Sequence, residues 1–159
     1  MNKQILTNGV IERAKKIKLL LMDCDGVLTD GRLYYNENGE ALKVFHVRDG
    51  QGLVTWHKAG FRSGIISGRS LALVNVRARE LGIEFEAAKV SHNETAFIGD
   101  DVADVMLMNQ VGLAVAVADA LYAAKEAAHF VTMINGGCGA VREVTDIILQ
   151  AQKKLPAKS

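Results

Sequence analysis

Two carboxylates one residue apart follow the most continuously apolar segment of the chain. The sequence Asp23-Cys24-Asp25-Gly26 begins where the run Leu19–Met22 ends. Such a run is typical of a strand that is covered on both faces, as in a parallel sheet. Side chains alternate along a strand, so Asp23 and Asp25 are expected on one side and Cys24 on the other, in the core. Buried carboxylates are costly unless cations or hydrogen bonds compensate, which disfavours a plain acidic turn.

A second acidic cluster follows a later apolar segment, residues 95–98. Its members are Asp100, Asp101 and Asp104, of which Asp101 could serve only as a helix N-cap. Because ligands bind beyond the carboxyl ends of parallel strands, the two clusters are expected to share one site. Their carboxylates are hard oxygen ligands, and an oxygen-rich site that acts on phosphates favours Mg²⁺.

A short polar segment, Ser67-Gly68-Arg69, follows another predicted strand. A hydroxyl group beside a flexible glycine and a guanidinium group suits a phosphate or a carboxylate. A strand-to-helix turn with Ser67 or Ser70 as the N-cap explains the same residues equally well.

These groups together suggest phosphoryl transfer. A carboxylate can attack phosphorus and form an aspartyl-phosphate. A neighbouring acid can protonate the leaving oxygen and then activate water, while Mg²⁺ and a cationic side chain neutralise the anionic oxygens.

The elements that must position these groups alternate between strands and helices, which predicts an α/β fold with a mainly parallel sheet. The predicted strands are residues 17–22, 64–66, 83–85, 95–98, 113–117 and 129–131. The predicted helices are residues 10–16, 52–59, 71–81, 102–108, 121–127 and 140–152. Residues 33–35 and 42–47 are predicted to form a β-hairpin around an Asn-Gly turn with positive φ angles.

Length and composition indicate one globular domain, residues 1–152, followed by a flexible polar tail at 153–159. The chain has 159 residues, of which 49% are hydrophobic and 23% charged. A net charge of +1 argues against nucleic-acid binding through bulk charge. Two cysteines are too few for a disulfide scaffold. With no secretory signal and no apolar run of membrane-spanning length, a cytoplasmic protein without a membrane partner is expected.

Four motifs resemble, in type and order, those of the haloacid dehalogenase superfamily of phosphohydrolases. They are DCDGVLTD at 23–30, ISGR at 66–69, a lysine before the last motif, and GDDVAD at 99–104. Three further segments resemble signatures of the subgroup that hydrolyses 3-deoxy-D-manno-octulosonate 8-phosphate in lipopolysaccharide biosynthesis. They are DGVLTDG at 25–31, GEALKVFHVRDG at 39–50 and GGCGAVREV at 136–144. The resemblance extends over residues 17–152 and implies a Rossmann-like parallel sheet flanked by helices.

The resemblance also implies roles for the acidic residues. Asp23 would be the nucleophile and Asp25 the general acid and base. Mg²⁺ would be bound by the Asp23 carboxylate, the Asp25 backbone carbonyl and Asp100. Asp101 and Asp104 would support the site.

The polar and basic residues implied to contact the phosphate or the substrate are Ser67, Gly68, Arg69, Lys89, Arg48 and Arg77. An exposed helix face is an equally good explanation for Arg77. Lys89 is the only lysine at hand for the phosphate-neutralising role, but it could instead be a non-catalytic neighbour of that position.

The segment between Gly82 and Gly99 departs from the family pattern. It is too short to hold the amphipathic helix that the family has there, although a parallel crossover needs about a dozen residues or more. Either the chain has lost this helix, or the printed sequence omits residues in this segment.

No insertion is long enough for a separate cap domain. The resemblance implies a homotetramer in which the protruding hairpin, residues 33–47, covers the active site of a neighbouring subunit. The hairpin could instead fold back on its own sheet. Two other functions are possible: a phosphatase of a nine-carbon sugar acid phosphate, and a non-catalytic binding subunit with the same fold.

Overall fold

The computed structural model describes residues 6–69, 72–83 and 90–155. Their main feature is a five-stranded parallel sheet. Its strands are β1 (Leu19–Met22), β4 (Arg62–Ile65), β5 (Thr95–Gly99), β6 (Leu113–Ala116) and β7 (Phe130–Val131). They lie in the order β4-β1-β5-β6-β7. A separate antiparallel hairpin consists of β2 (Tyr34–Asn36) and β3 (Gly39–Leu42). The predicted α/β class and the protruding hairpin are confirmed.

Helices flank the sheet. They are α1 (Asn8–Ala14), α2 (Val47–Lys58), α3 (Ala72–Leu81), α4 (Val105–Met108), α5 (Tyr122–Ala127) and α6 (Ala140–Ala151). Every residue of β5 and β6 is buried, because helices cover both faces of the sheet at its centre. This burial explains why these strands are continuously apolar rather than alternating.

The hairpin differs from its prediction in its turn and in the length of its second arm. Asn36 pairs with Gly39, and Gly39 has a φ of 115°, whereas Asn38 does not have the positive φ that was expected of it. The Asn38 backbone N–H instead donates to Asn36 Oδ1 at 2.8 Å. The second arm was predicted at residues 42–47. In the structure β3 ends at Leu42, and α2 begins at Val47.

Helix α2 begins five residues before its predicted start. His46 caps it, with Nδ1 accepting from the backbone N–H of Arg48 at 3.2 Å. The glycines at positions 50 and 52 disfavour a helix in the sequence, but here they allow close packing. A Cβ on Gly50 would lie 2.3 Å from the Arg77 guanidinium group, and one on Gly52 would lie 2.7 Å from Thr145 Oγ1.

Two further predictions need correction or fall outside the structure. The helix predicted over residues 102–108 is a 3₁₀ turn, Val102–Asp104, followed by α4, because Asp101 and Asp104 side chains cap the turn. Of the strand predicted at 83–85, only Ile83 lies within the described residues. No helix among the described residues is long and apolar enough to cross a membrane. The division into a domain at 1–152 and a tail at 153–159 stays a prediction.

Candidate active site

The carboxyl ends of β1, β4 and β5 meet at one edge of the sheet. Met22 pairs with Ile65 on one side and with Ile98 on the other. Asp23 follows Met22 directly, and its backbone N–H donates to Ile98 O at 3.0 Å. Parallel pairing in this register brings the segment after each strand to the same edge, as predicted.

Three carboxylates form a cluster there that could hold a metal ion. One ligand atom from each of Asp23, Asp100 and Asp104 lies within 4.8 Å of the other two. Asp104 Oδ2 also accepts from the backbone N–H groups of Asp100 at 2.8 Å and Asp101 at 3.1 Å, which fixes the turn that carries Asp100. Asp101 itself is exposed and caps the turn through Val102, as its N-cap interpretation predicted.

The electrostatics of this cluster fit a divalent cation. Burial, with a smaller contribution from the Asp104 charge, raises the pKa of Asp23 to about 6. Burial and the Asp23 charge raise the pKa of Asp100 to about 7. Asp100 Oδ1 is buried without a hydrogen bond from the described residues. A cation between these oxygens would satisfy the unpaired oxygen and reverse the mutual repulsion.

The turn that carries Asp25 is held in place by backbone contacts. The N–H groups of Leu28 and Thr29 both donate to Cys24 O at 3.0 Å, and Gly137 N donates to Val27 O at 2.8 Å. Cys24 has no exposed surface, and burial raises the pKa of its thiol to about 12, which agrees with a core residue.

Asp25 lies in an ionic network with the hairpin. Lys43 Nζ donates a hydrogen bond to Asp25 Oδ1 and lies 3.0 Å from Glu40 Oε1. Arg69 Nε lies 3.5 Å from Asp25 Oδ2, and its NH2 group lies 3.5 Å from Glu40 Oε2. The same guanidinium group donates to the Tyr35 hydroxyl at 2.8 Å. The hairpin therefore contacts the site of its own chain.

Burial alone would lower the pKa of Lys43, but its hydrogen bond with Asp25 and its ion pair with Glu40 raise that pKa above its usual value. Lys43 and Glu40 were not predicted as site residues. The available signal was a single lysine between Leu42 and Val44, in a segment that otherwise carries apolar side chains.

Two of the other residues predicted to bind phosphate, Ser67 and Gly68, follow the carboxyl end of β4. Ser67 lies at the strand edge, where its Oγ accepts from the backbone N–H of Arg69 at 3.3 Å. At Gly68 an added Cβ would meet nothing within 4 Å, which leaves open space beside the loop. Helix α3 begins at Ala72, so Ser67 is not its N-cap, while Ser70 lies outside the described residues.

Neither Arg77 nor Arg48 is brought to the carboxylates by any described contact. Arg77 is half-buried, pairs with Glu80 at 2.8 Å and lies 5.9 Å from the centroid of the Phe45 ring. Arg48 is exposed in the first turn of α2. Lys89 lies outside the described residues.

Comparison with known proteins agrees with this fold. A family model for haloacid dehalogenase-like hydrolases matches residues 84–144. The 3-deoxy-D-manno-octulosonate 8-phosphate phosphatase of Yersinia pestis is 43% identical over 94% of this chain and 89% of its own length. The chain therefore belongs to the haloacid dehalogenase-like hydrolases, and within them to the family of the 3-deoxy-D-manno-octulosonate 8-phosphate phosphatases. It is a phosphatase by this membership, as the sequence predicted.

Solved structures of this family superpose closely. The Yersinia pestis phosphatase has a TM-score of 0.88 and covers 95% of this chain and 94% of its own. The phosphatase of Moraxella catarrhalis, solved with magnesium, phosphate and 3-deoxy-D-manno-octulosonate (KDO), has a TM-score of 0.85 at 36% identity. It covers 92% of this chain and 94% of its own.

The sequence alignment with the Yersinia pestis protein runs over 166 positions, more than the 159 residues of this chain. It therefore contains positions of the relative that have no counterpart here.

Proposed function

We propose that the protein hydrolyses 3-deoxy-D-manno-octulosonate 8-phosphate to the free sugar acid and phosphate, a reaction of lipopolysaccharide biosynthesis. The observation that carries this proposal is the juxtaposition of the Asp23–Asp100–Asp104 cluster with Asp25, whose carboxylate is held by two cations. The function of the relatives and the ligands in the Moraxella catarrhalis structure support the choice of substrate.

Mg²⁺ would be held by the carboxylates of Asp23 and Asp100 and by the backbone carbonyl of Asp25. When bound, it supplies positive charge that stabilises the anionic oxygens of the phosphoryl group. Asp104 supports this site by fixing the Asp100 turn through its two backbone hydrogen bonds.

The reaction proceeds in two halves, with Asp23 as the nucleophile. An oxygen of Asp23 attacks phosphorus, the bond from phosphorus to the ester oxygen breaks, and Asp25 gives its proton to that leaving oxygen. In the second half the ionised Asp25 takes a proton from water, the water oxygen attacks phosphorus, and the bond to Asp23 breaks. Phosphate leaves, and both carboxyl groups return to their starting states.

Ser67 and the backbone at Gly68 would bind the phosphate oxygens, and Arg69, whose Nε lies 3.5 Å from Asp25 Oδ2, would add a positive charge there. Arg48 and Arg77 would contact the sugar acid. Lys89 would neutralise the phosphate.

The proposed assembly is a homotetramer in which hairpins associate. One face of the hairpin contacts the site of its own chain through Tyr35, Glu40 and Lys43. The hairpin segment also exposes apolar residues, namely Leu33, Tyr34, Leu42 and Val44. An isolated hairpin is marginally stable in water, so contacts with a second copy would stabilise it.

The proposal is tested by measuring phosphate release from 3-deoxy-D-manno-octulosonate 8-phosphate and from a nine-carbon sugar acid phosphate, each with Mg²⁺ and with excess chelator. We expect release that depends on Mg²⁺ and favours the eight-carbon ester. Preference for the nine-carbon ester would redirect the assignment, and no release from either would favour a binding subunit. An intact mass of 17.2 kDa would establish that the active protein has 159 residues.

A further inference from the structure

Lys43 is a buried cation that lies against one of the two catalytic carboxylates. Only 2% of its side chain is exposed, and of the described residues it is the one buried lysine or arginine. Removing an ammonium group from water is costly unless carboxylates compensate for the lost hydration. The strands of the hairpin are mostly exposed, so a lysine in this segment could have remained in contact with water. Its burial beside Asp25 therefore indicates a role at the site.

The contacts of Lys43 distinguish the two oxygens of Asp25. Its Nζ donates to Oδ1, so this oxygen is occupied. Oδ2 is buried and accepts no hydrogen bond from the described residues, although Arg69 Nε lies 3.5 Å away. A general acid must present one oxygen, with its proton, to the ester oxygen that leaves.

The geometry points to Lys43 as a positioning residue for Asp25: by holding Oδ1 it fixes the carboxyl group so that Oδ2 is the oxygen that exchanges the proton. This inference rests on the proposed phosphatase reaction, in which Asp25 protonates the leaving oxygen. Lys43 itself moves no proton and forms no bond to the substrate.

A purely mechanical role is the competing explanation. Lys43 also pairs with Glu40 in β3, so it could simply anchor the hairpin to the sheet edge. The two roles predict different losses of activity for esters with different leaving groups when Lys43 is replaced. An alkyl ester needs a proton from Asp25 as its bond to phosphorus breaks, whereas p-nitrophenolate leaves as a stable anion. Loss of anchoring would slow both esters alike.

The test compares kcat/KM of wild type and Lys43→Met for two esters, 3-deoxy-D-manno-octulosonate 8-phosphate and p-nitrophenyl phosphate. This ratio is suitable because it reports only the steps up to departure of the leaving group. Since general acid catalysis contributes roughly 10²–10⁴-fold, we expect the alkyl ester to lose at least about tenfold more than the aryl ester. Lys43→Arg, which keeps a charged donor, is expected to retain more alkyl ester hydrolysis than Lys43→Met.

Two variants serve as controls. Glu40→Gln removes the second carboxylate from Lys43 but keeps the contact with Asp25, so the preference between the two esters is expected to match wild type. Lys15→Met also removes a lysine from an ion pair, here the exposed pair with Glu12 at 2.6 Å, and is expected to leave both rates unchanged. If Lys43→Met does not fold, Lys43→Gln is compared with wild type on the same two esters.

Equal losses for the two esters in a folded Lys43 variant would overturn the inference, as would a Glu40→Gln variant with the same shift in ester preference. A wild-type protein that releases no phosphate from the alkyl ester would contradict the proposed function itself. The two failures are therefore distinguishable by the activity of the unmodified protein.

Discussion

The backbone of Gly26 approaches the carboxylate of Asp100 so closely that no side chain fits between them. A Cβ at position 26 would lie 2.0 Å from Asp100 Oδ2, and Gly26 has a φ of 96°, which L side chains rarely adopt. The turn that carries Asp25 and the loop that carries Asp100 therefore fit together only with glycine at this position.

Gly26→Ala is expected to weaken Mg²⁺ binding, because the added methyl group pushes Asp100 away from Asp23. Loss of support around a metal ligand typically lowers metal affinity roughly 10–100-fold. Calorimetric titration with Mg²⁺ measures the effect. Gly9→Ala is the matched control, because a Cβ there meets only Thr7 Oγ1 at 3.9 Å. Unchanged affinity in a folded Gly26→Ala protein would remove Asp100 from the proposed metal site.

Asp23→Asn is expected to reduce hydrolysis to near background while the protein still folds. The amide keeps the shape of the side chain but lacks the anionic oxygen that attacks phosphorus. Phosphate release measures the activity, and circular dichroism verifies the fold. A folded variant with near-normal turnover would exclude the aspartyl-phosphate mechanism.

The stability of the metal-free protein is expected to fall as pH rises from about 4 to about 7. Burial raises the pKa of Asp23 to about 6 and of Asp100 to about 7, so the folded state favours their protonated forms. Ionisation through this range therefore removes stability. Mg²⁺ requires the ionised carboxylates, so the rise in Tm that Mg²⁺ produces should be larger near pH 8 than near pH 5. Melting curves with Mg²⁺ and with chelator test this; a Mg²⁺ effect independent of pH would contradict it.

Asp49 is expected to contribute to folding rather than to catalysis. It is 1% exposed and accepts from the backbone N–H groups of Gly139 at 3.1 Å and Arg142 at 2.9 Å, so it caps α6 from α2. Asp49→Ala should lower the free energy of unfolding by about 1–3 kcal/mol, since it leaves buried donors unpaired. Asp146→Ala, which removes a more exposed pair with Arg142, should cost less than about 1 kcal/mol. Urea denaturation compares the two, and equal losses would contradict the capping role.

Replacing Leu42 and Val44 together by serine is expected to produce smaller oligomers. Each residue is 50% exposed on the hairpin, so the change removes apolar surface without emptying the core. Phe45 is a poorer choice, because it is half-buried beside Arg77 and its replacement would also cost stability. Sedimentation velocity measures the assembly; an unmodified protein that is a fully active monomer would refute hairpin association.

The sequence by itself determined the fold class and the acidic centre of the site. Continuous apolar runs specify strands buried on both faces, and parallel strands bring the loops after them to one edge of the sheet. Asp23, Asp25 and Asp100 could therefore be located together without coordinates. Residue type indicated a cation site, because few other arrangements compensate clustered carboxylates. The separate roles of Asp23 and Asp25 came from the family resemblance.

Only the tertiary structure decided which cationic side chains contact these carboxylates. Lys43 reaches Asp25 because the hairpin folds against the sheet edge, which local sequence patterns do not encode. Helix α2 likewise starts early because Gly50 and Gly52 allow close packing against Arg77 and Thr145, and this packing outweighs the low helix propensity of glycine. Contacts between residues distant in sequence thus set the positions of Lys43 and Arg77, since their energies depend on neighbours that the local sequence does not reveal.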